Sequence, residues 1–106
     1  MATQEIPIGA DHNVWYRNMR NQDTGAAVTD ATVTAVVSPN EDGSSPTISA
    51  ITLTHQGSGD YLGTFAGADT GTLTKGQTYW VVVTVSGTAV DKRSIRHVAK
   101  YRRVSP

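Results

Sequence analysis

Gly57-Ser58-Gly59-Asp60-Tyr61-Leu62-Gly63 and Lys75-Gly76-Gln77-Thr78-Tyr79-Trp80-Val81 each place a glycine-bearing turn directly before a tyrosine-led alternating run. Glycine supplies the positive φ that a tight connection needs, and alternation at period two marks a strand with one buried face. The second run continues through Ser86, with Tyr79, Val81, Val83 and Val85 on one face and Trp80, Val82 and Thr84 on the other, the pattern of a strand covered on both sides. Working outward, Ala31 to Val37 alternates alanine and valine against mostly threonine and predicts a central strand. Further strands are expected over about 14–20, 48–55, 61–65 and 92–103, the last with Ile95, His97, Ala99 and Tyr101 facing in. Asn21-Gln22-Asp23-Thr24-Gly25 is a turn, Leu73 a core plug within the 70–76 loop, and Ser38 to Pro46 a polar loop expected to be the most mobile part of the domain. About six or seven strands, regular turn signals and no helical periodicity indicate an all-β sandwich.

Residues 1–13, with Pro7 and Gly9 interrupting Ile6 and Ile8, read as an N-terminal arm that docks on something and can be deleted without unfolding the remainder, 14–106. A chain of 106 residues without cysteine makes one domain, since two smaller cores would need a metal or disulfide staple. Net charge is zero, yet Lys92, Arg93, Arg96, Lys100, Arg102 and Arg103 gather in a basic C-terminal strand while Glu5, Asp11, Asp23, Asp30, Glu41, Asp42, Asp60 and Asp69 precede them. Copies meeting head to tail would find complementary charge, so a homo-oligomer is expected in any assembly. The plainer reading of the basic cluster is an edge strand whose cations prevent edge pairing. A nucleic-acid patch is the reading set aside. The first residues show no basic n-region or apolar stretch of a secretory signal, and the run Tyr79 to Val83 is too short to span a bilayer, so no membrane partner is expected.

Chemistry-bearing motifs are weak. His12, His55 and His97 lack the paired spacing of a zinc site, and isolated strand histidines usually satisfy local hydrogen bonds. Asp42, Asp60 and Asp69 fit no calcium loop and read as turn chemistry. No G-x-S-x-G elbow accompanies the serines, and no helix follows a glycine-rich stretch to hold phosphate. No catalytic residue, metal or cofactor is therefore expected. In the pairs Trp15-Tyr16 and Tyr79-Trp80 one ring must face the core, and the other is free for an interface or a sugar platform.

Gly25-x-x-Val28-Thr29-Asp30-Ala31-Thr32-Val33, Gly59-Asp60-Tyr61-x-Gly63-Thr64-Phe65 and Leu73-x-x-Gly76-x-x-Tyr79-x-Val81-x-Val83-x-Val85 together resemble immunoglobulin-like and macroglobulin-like Greek-key domains. They also resemble the short immunoglobulin-like proteins encoded among the structural genes of tailed bacteriophages. The resemblance covers about residues 14–90, implies an immunoglobulin-like β-sandwich with Tyr61 as its tyrosine-corner residue, and carries no functional residue with it. A lone domain that starts at Met1 without an export signal leads to the expectation of a non-enzymatic virion structural protein, assembled in the host cytoplasm. A capsid decoration or cement protein is expected first, and a neck or tail component second. A carbohydrate-binding or adhesive module is the alternative from another class, and a hydrolase with a noncontiguous site the weakest. Contacts with other virion proteins are assigned to Ile6, Ile8, Trp15, Trp80, Arg96, Lys100, Arg102 and Arg103.

Overall fold

The computed structural model describes residues 4–87 and 89–101. Among them seven strands follow one another, β1 (Gln4–Ile8), β2 (His12–Tyr16), β3 (Thr32–Ser38), β4 (Ile48–Gly57), β5 (Asp60–Phe65), β6 (Thr78–Ser86) and β7 (Asp91–Tyr101), with one helical turn, α1 (Gly67–Thr70), after β5. They form a mixed sheet in the order β1-β7-β6-β3-β4-β5-β2. β1 runs parallel to β7, and the other pairs are antiparallel. The fold is thus all-β, as the alternating runs predict.

β4 lets one sheet act as two layers. Its first part, Ile48 to Leu53, pairs with β3, and its second, Thr54 to Gly57, pairs with β5, with irregular register in both ladders. The sheet therefore curls about β4 until its two ends approach, β2 facing β7. Between the layers lie Val33, Val37, Tyr61, Phe65, Val81 and Val85, each nearly inaccessible. Valines dominate because branched side chains pack well on a pleated surface, and burying each stabilises the fold by about 1.5–3 kcal/mol. Leu73 plugs the core as expected.

Two tyrosine hydroxyls satisfy backbone inside this core. Tyr61 donates to Val28 O at 2.9 Å and accepts from Ala31 N at 3.2 Å, so it anchors the segment entering β3. Tyr79 accepts from Thr74 N at 2.8 Å, five residues upstream at the start of β6. Tyr61 thus caps backbone across the core as expected, and Tyr79 makes a second, upstream bond of the tyrosine-corner kind.

The segment read as an arm is a strand. Ile6 and Ile8 are buried in the core, Ile6 with no accessible surface, and residues 4–8 pair with His97 to Tyr101. Pro7 misleads because it lacks an N–H, but an edge strand needs only one of its two sides for the ladder. Gly9, at φ +80°, makes the turn into β2. Removing residues 1–13 would consequently strip an edge strand and the first two residues of β2. The Ser38 to Pro46 loop also differs from expectation. Ser94 Oγ donates to Glu41 O at 2.6 Å and Lys92 Nζ to Asp42 O at 2.9 Å, fastening the loop to the outer face of β7, and Ser38 Oγ donates to Ser44 O at 2.6 Å across the loop itself. Gly43 lies against Val82, which explains why a valine on the outward side of β6 is buried.

Candidate interaction surface

Alternation in β6 and β7 fixes what the outer face presents. Because Tyr79, Val81 and His97 point to the core, Trp80 and Arg96 point outward, and the two are direct cross-strand partners. Trp80 is half-buried and Arg96 exposed. Of the cations on this strand, Lys92 is engaged by the Asp42 carbonyl, Arg93 by Asp91, and Lys100 by Glu5 at 3.2 Å. Among the described residues Arg96 has no hydrogen-bond or ion-pair partner, so its guanidinium is available to a carboxylate. β7 is not the sheet's edge over His97 to Tyr101, where β1 covers it, and its cations there do more than repel an incoming strand.

The opposite layer carries Trp15. It faces outward from β2 beside Leu62 of β5, is 40% exposed, and has the Arg17 guanidinium 4.0 Å from its ring centroid. Arg17 is itself 3.8 Å from Asp60, an exposed pair of little energetic weight. Tyr16 and Tyr79 are the core-facing members of their pairs, as the alternation requires. Trp15 and Trp80 therefore sit on outer faces of different layers.

The predicted contact residues consequently divide. Ile6 and Ile8 are core residues and are withdrawn as docking groups, because their side chains are spent on the molecule's own interior. Trp80, Arg96 and Lys100 share the outer face of β6 and β7, Trp15 lies apart from them, and Arg102 and Arg103 lie outside the described residues. Tyr101, expected to face in, is 65% exposed near the end of β7.

Between β2 and β7 the curled sheet leaves a seam held at both ends. At one end the buried Tyr16 hydroxyl donates to Asp91 Oδ2 at 2.6 Å, and Arg93 closes the cluster with Nε 3.1 Å from the same oxygen, Nη2 3.3 Å from the hydroxyl, and its guanidinium 4.3 Å above the Tyr16 ring. Donation from Tyr16 holds the Asp91 carboxyl below its ordinary range, while burial and then the bond to Asp91 push the Tyr16 phenol up. At the other end the rings of His12 and His97 meet edge to face, with centroids 5.4 Å apart. His97 is buried, its Nδ1 lies 2.8 Å from Ile95 O, and burial lowers its pKa. Two of the three histidines thus meet, but among the described residues no group of three or more metal-ligating side chains does.

The middle of the seam is a groove of about 240 Å³, lined by Gln4, Val14, Trp15, Val81, Ile95 and His97. Its apolar floor is the core itself. Among the described residues β1 pairs with β7 from His97 to Tyr101. Sequence reasoning missed the latch. Tyr16 and Asp91 are 75 positions apart, and no local spacing links them. Compared with known proteins, the chain matches no family model, no curated protein and no solved structure.

Proposed function

We propose that this protein is a non-enzymatic structural component of a tailed-phage particle, a capsid decoration protein that works by binding other virion proteins. Its finer architecture is taken to be an immunoglobulin-like Greek-key sandwich. The parallel β1–β7 pair, the strand β4 shared between layers and the Tyr79 corner support that architecture. The observation that carries the functional reading is the outer face of β6 and β7, where Arg96, unpaired among the described residues, lies across from the half-buried Trp80. Arginine and tryptophan are the side chains that most often dominate protein interfaces. The phage assignment itself rests on the turn and strand motifs quoted above.

In the virus or prophage that encodes the chain, particles purified on a density gradient are expected to contain it at fixed stoichiometry. Recovery of the chain only in the particle-free fraction would remove the reading. Glycan binding through Trp15 has a specific obstacle, since Arg17 already occupies one face of the ring that a sugar would stack upon. A glycan array that lights up and goes dark with Trp15→Ala would nevertheless replace the particle reading with the adhesive one.

A further inference from the structure

We infer that this protein self-associates through the first part of β4, where Ala50 to Leu53 of one copy pair antiparallel with the same residues of a second copy about a two-fold axis. The inference stands apart from the particle reading and needs no virion partner. Strand addition needs a sheet edge that nothing else occupies, and a two-fold pairing sets each residue against itself or a near neighbour, so the edge must tolerate its own side chains.

β4 offers such an edge because of how it changes layers. Among the described residues it is paired with β3 on one side from Ile48 to Leu53, and β5 joins its other side only from Thr54 onward. Gly63 makes the parting possible. A Cβ there would lie 3.0 Å from Leu53 Cδ1 and 3.1 Å from Ile51 Cδ1, so these two side chains close the opening between the layers and leave the β4 main chain at its rim. Beside that rim runs a groove of about 240 Å³, with Asp69 and Thr72 on its far wall. Residues 1–3, 88 and 102–106 adjoin β1, β6 and β7 in the chain, and those strands stand two to four places from β4 in the sheet.

The sequence of this rim names its occupant. Thr47-Ile48-Ser49-Ala50-Ile51-Thr52-Leu53-Thr54 contains no charge, no glycine and no proline. Natural sheets guard an open edge with charge or proline, and the two end strands of this sheet do so, β1 with Glu5 and Pro7 and β2 by running straight into Arg17. β4 has only a bulge between Ile48 and Ile51, which confines regular pairing to Ala50 to Leu53. A charged segment finds nothing to answer it on this strand, whereas a copy of the same strand brings no like charges into opposition. Ile51, half-buried in the free chain, gains cover from its symmetry mate.

Sedimentation equilibrium of the whole chain over a concentration series is expected to show monomer passing to dimer between the micromolar and millimolar ranges, because so short a stretch buries less than a standard interface. Exchange of those Ala50 to Leu53 amides that point away from β3 is expected to slow as the dimer forms. Thr52 is exposed and lies within a residue of the axis, so its two copies stand opposite or diagonal and long side chains there meet. Thr52→Lys and Thr52→Glu should each weaken dimerisation about fivefold at low salt, and an equimolar mixture of the two should recover it, which separates a lost contact from a lost fold. A chain that stays monomeric at millimolar concentration would overturn the inference, as would a dimer protected at another edge or a mixture no tighter than either variant alone. So would outward amides at 50–53 that are already protected in the dilute monomer, since the chain itself would then occupy the edge.

Discussion

Replacing Gly59 with alanine probes the tightest backbone approach in the molecule. Gly59 has φ +81°, and a Cβ built there would lie 2.4 Å from Met19 O and 3.0 Å from Met19 N. Neither backbone group can retreat freely. Met19 N donates to Gly59 O, and Met19 O accepts from Val28 N, both at 2.9 Å. The positive φ alone costs a residue with a side chain about 1–2 kcal/mol. Disturbing two backbone hydrogen bonds adds about 0.5–1.5 kcal/mol for each. The sum is about 2–5 kcal/mol, a large share of the total stability of a small domain. Gly76 supplies the control, because it has nearly the same φ, +82°, with nothing within 4 Å of its Cβ position. Gly76→Ala should therefore carry only the conformational cost. In thermal unfolding followed by circular dichroism, each kcal/mol lowers the midpoint of a domain this size by about 4–8 °C. Gly59→Ala is expected to fall below Gly76→Ala by about 4–24 °C, the difference of about 1–3 kcal/mol that the two hydrogen bonds make. Equal midpoints for the two variants would refute the close packing of the 57–59 turn against Met19.

Three further outcomes follow from the core and the seam. Tyr61→Phe leaves Val28 O and Ala31 N without their buried partner and should cost about 1–3 kcal/mol in urea unfolding, and a loss near zero would mean the hydroxyl is dispensable. His97 has a folded-state pKa below its ordinary 6.5, so the unfolded chain takes up the proton first. Stability should fall as pH drops below about 6.5 and level off under the folded pKa, and a flat profile through this window would place His97 in solvent. Asp91 acts at lower pH. Its contribution is present above the ordinary 3.8 and is lost as pH falls through its depressed folded pKa, and Tyr16→Phe should move the Asp91 titration upward in an NMR experiment. An unmoved titration would break the assigned latch.

Strands β3, β5 and β6 were legible because each depends on its own alternation, as in Val33, Ala35 and Val37 against threonines, or Tyr61, Gly63 and Phe65 against Leu62 and Thr64. β1 was not legible, since its partner lies about ninety positions away and Pro7 and Gly9 break the local pattern that periodicity reads. The same limit hid the candidate site. Trp80 and Arg96 could each be picked out as residues of interest, but their pairing depends on the β6–β7 register. Burial of Val82 could be foreseen from the two-sided run in β6, whereas its cover, Gly43 in a polar loop, depends on three side-chain-to-backbone bonds that composition does not encode.

Amide hydrogen exchange, compared between the free chain and the same chain bound in purified particles, examines the account where it is most exposed. Slowed exchange in β6 and β7 around Trp80 and Arg96 on assembly is the predicted result. Unchanged exchange there, with new protection confined to another surface of the bound chain, would contradict it.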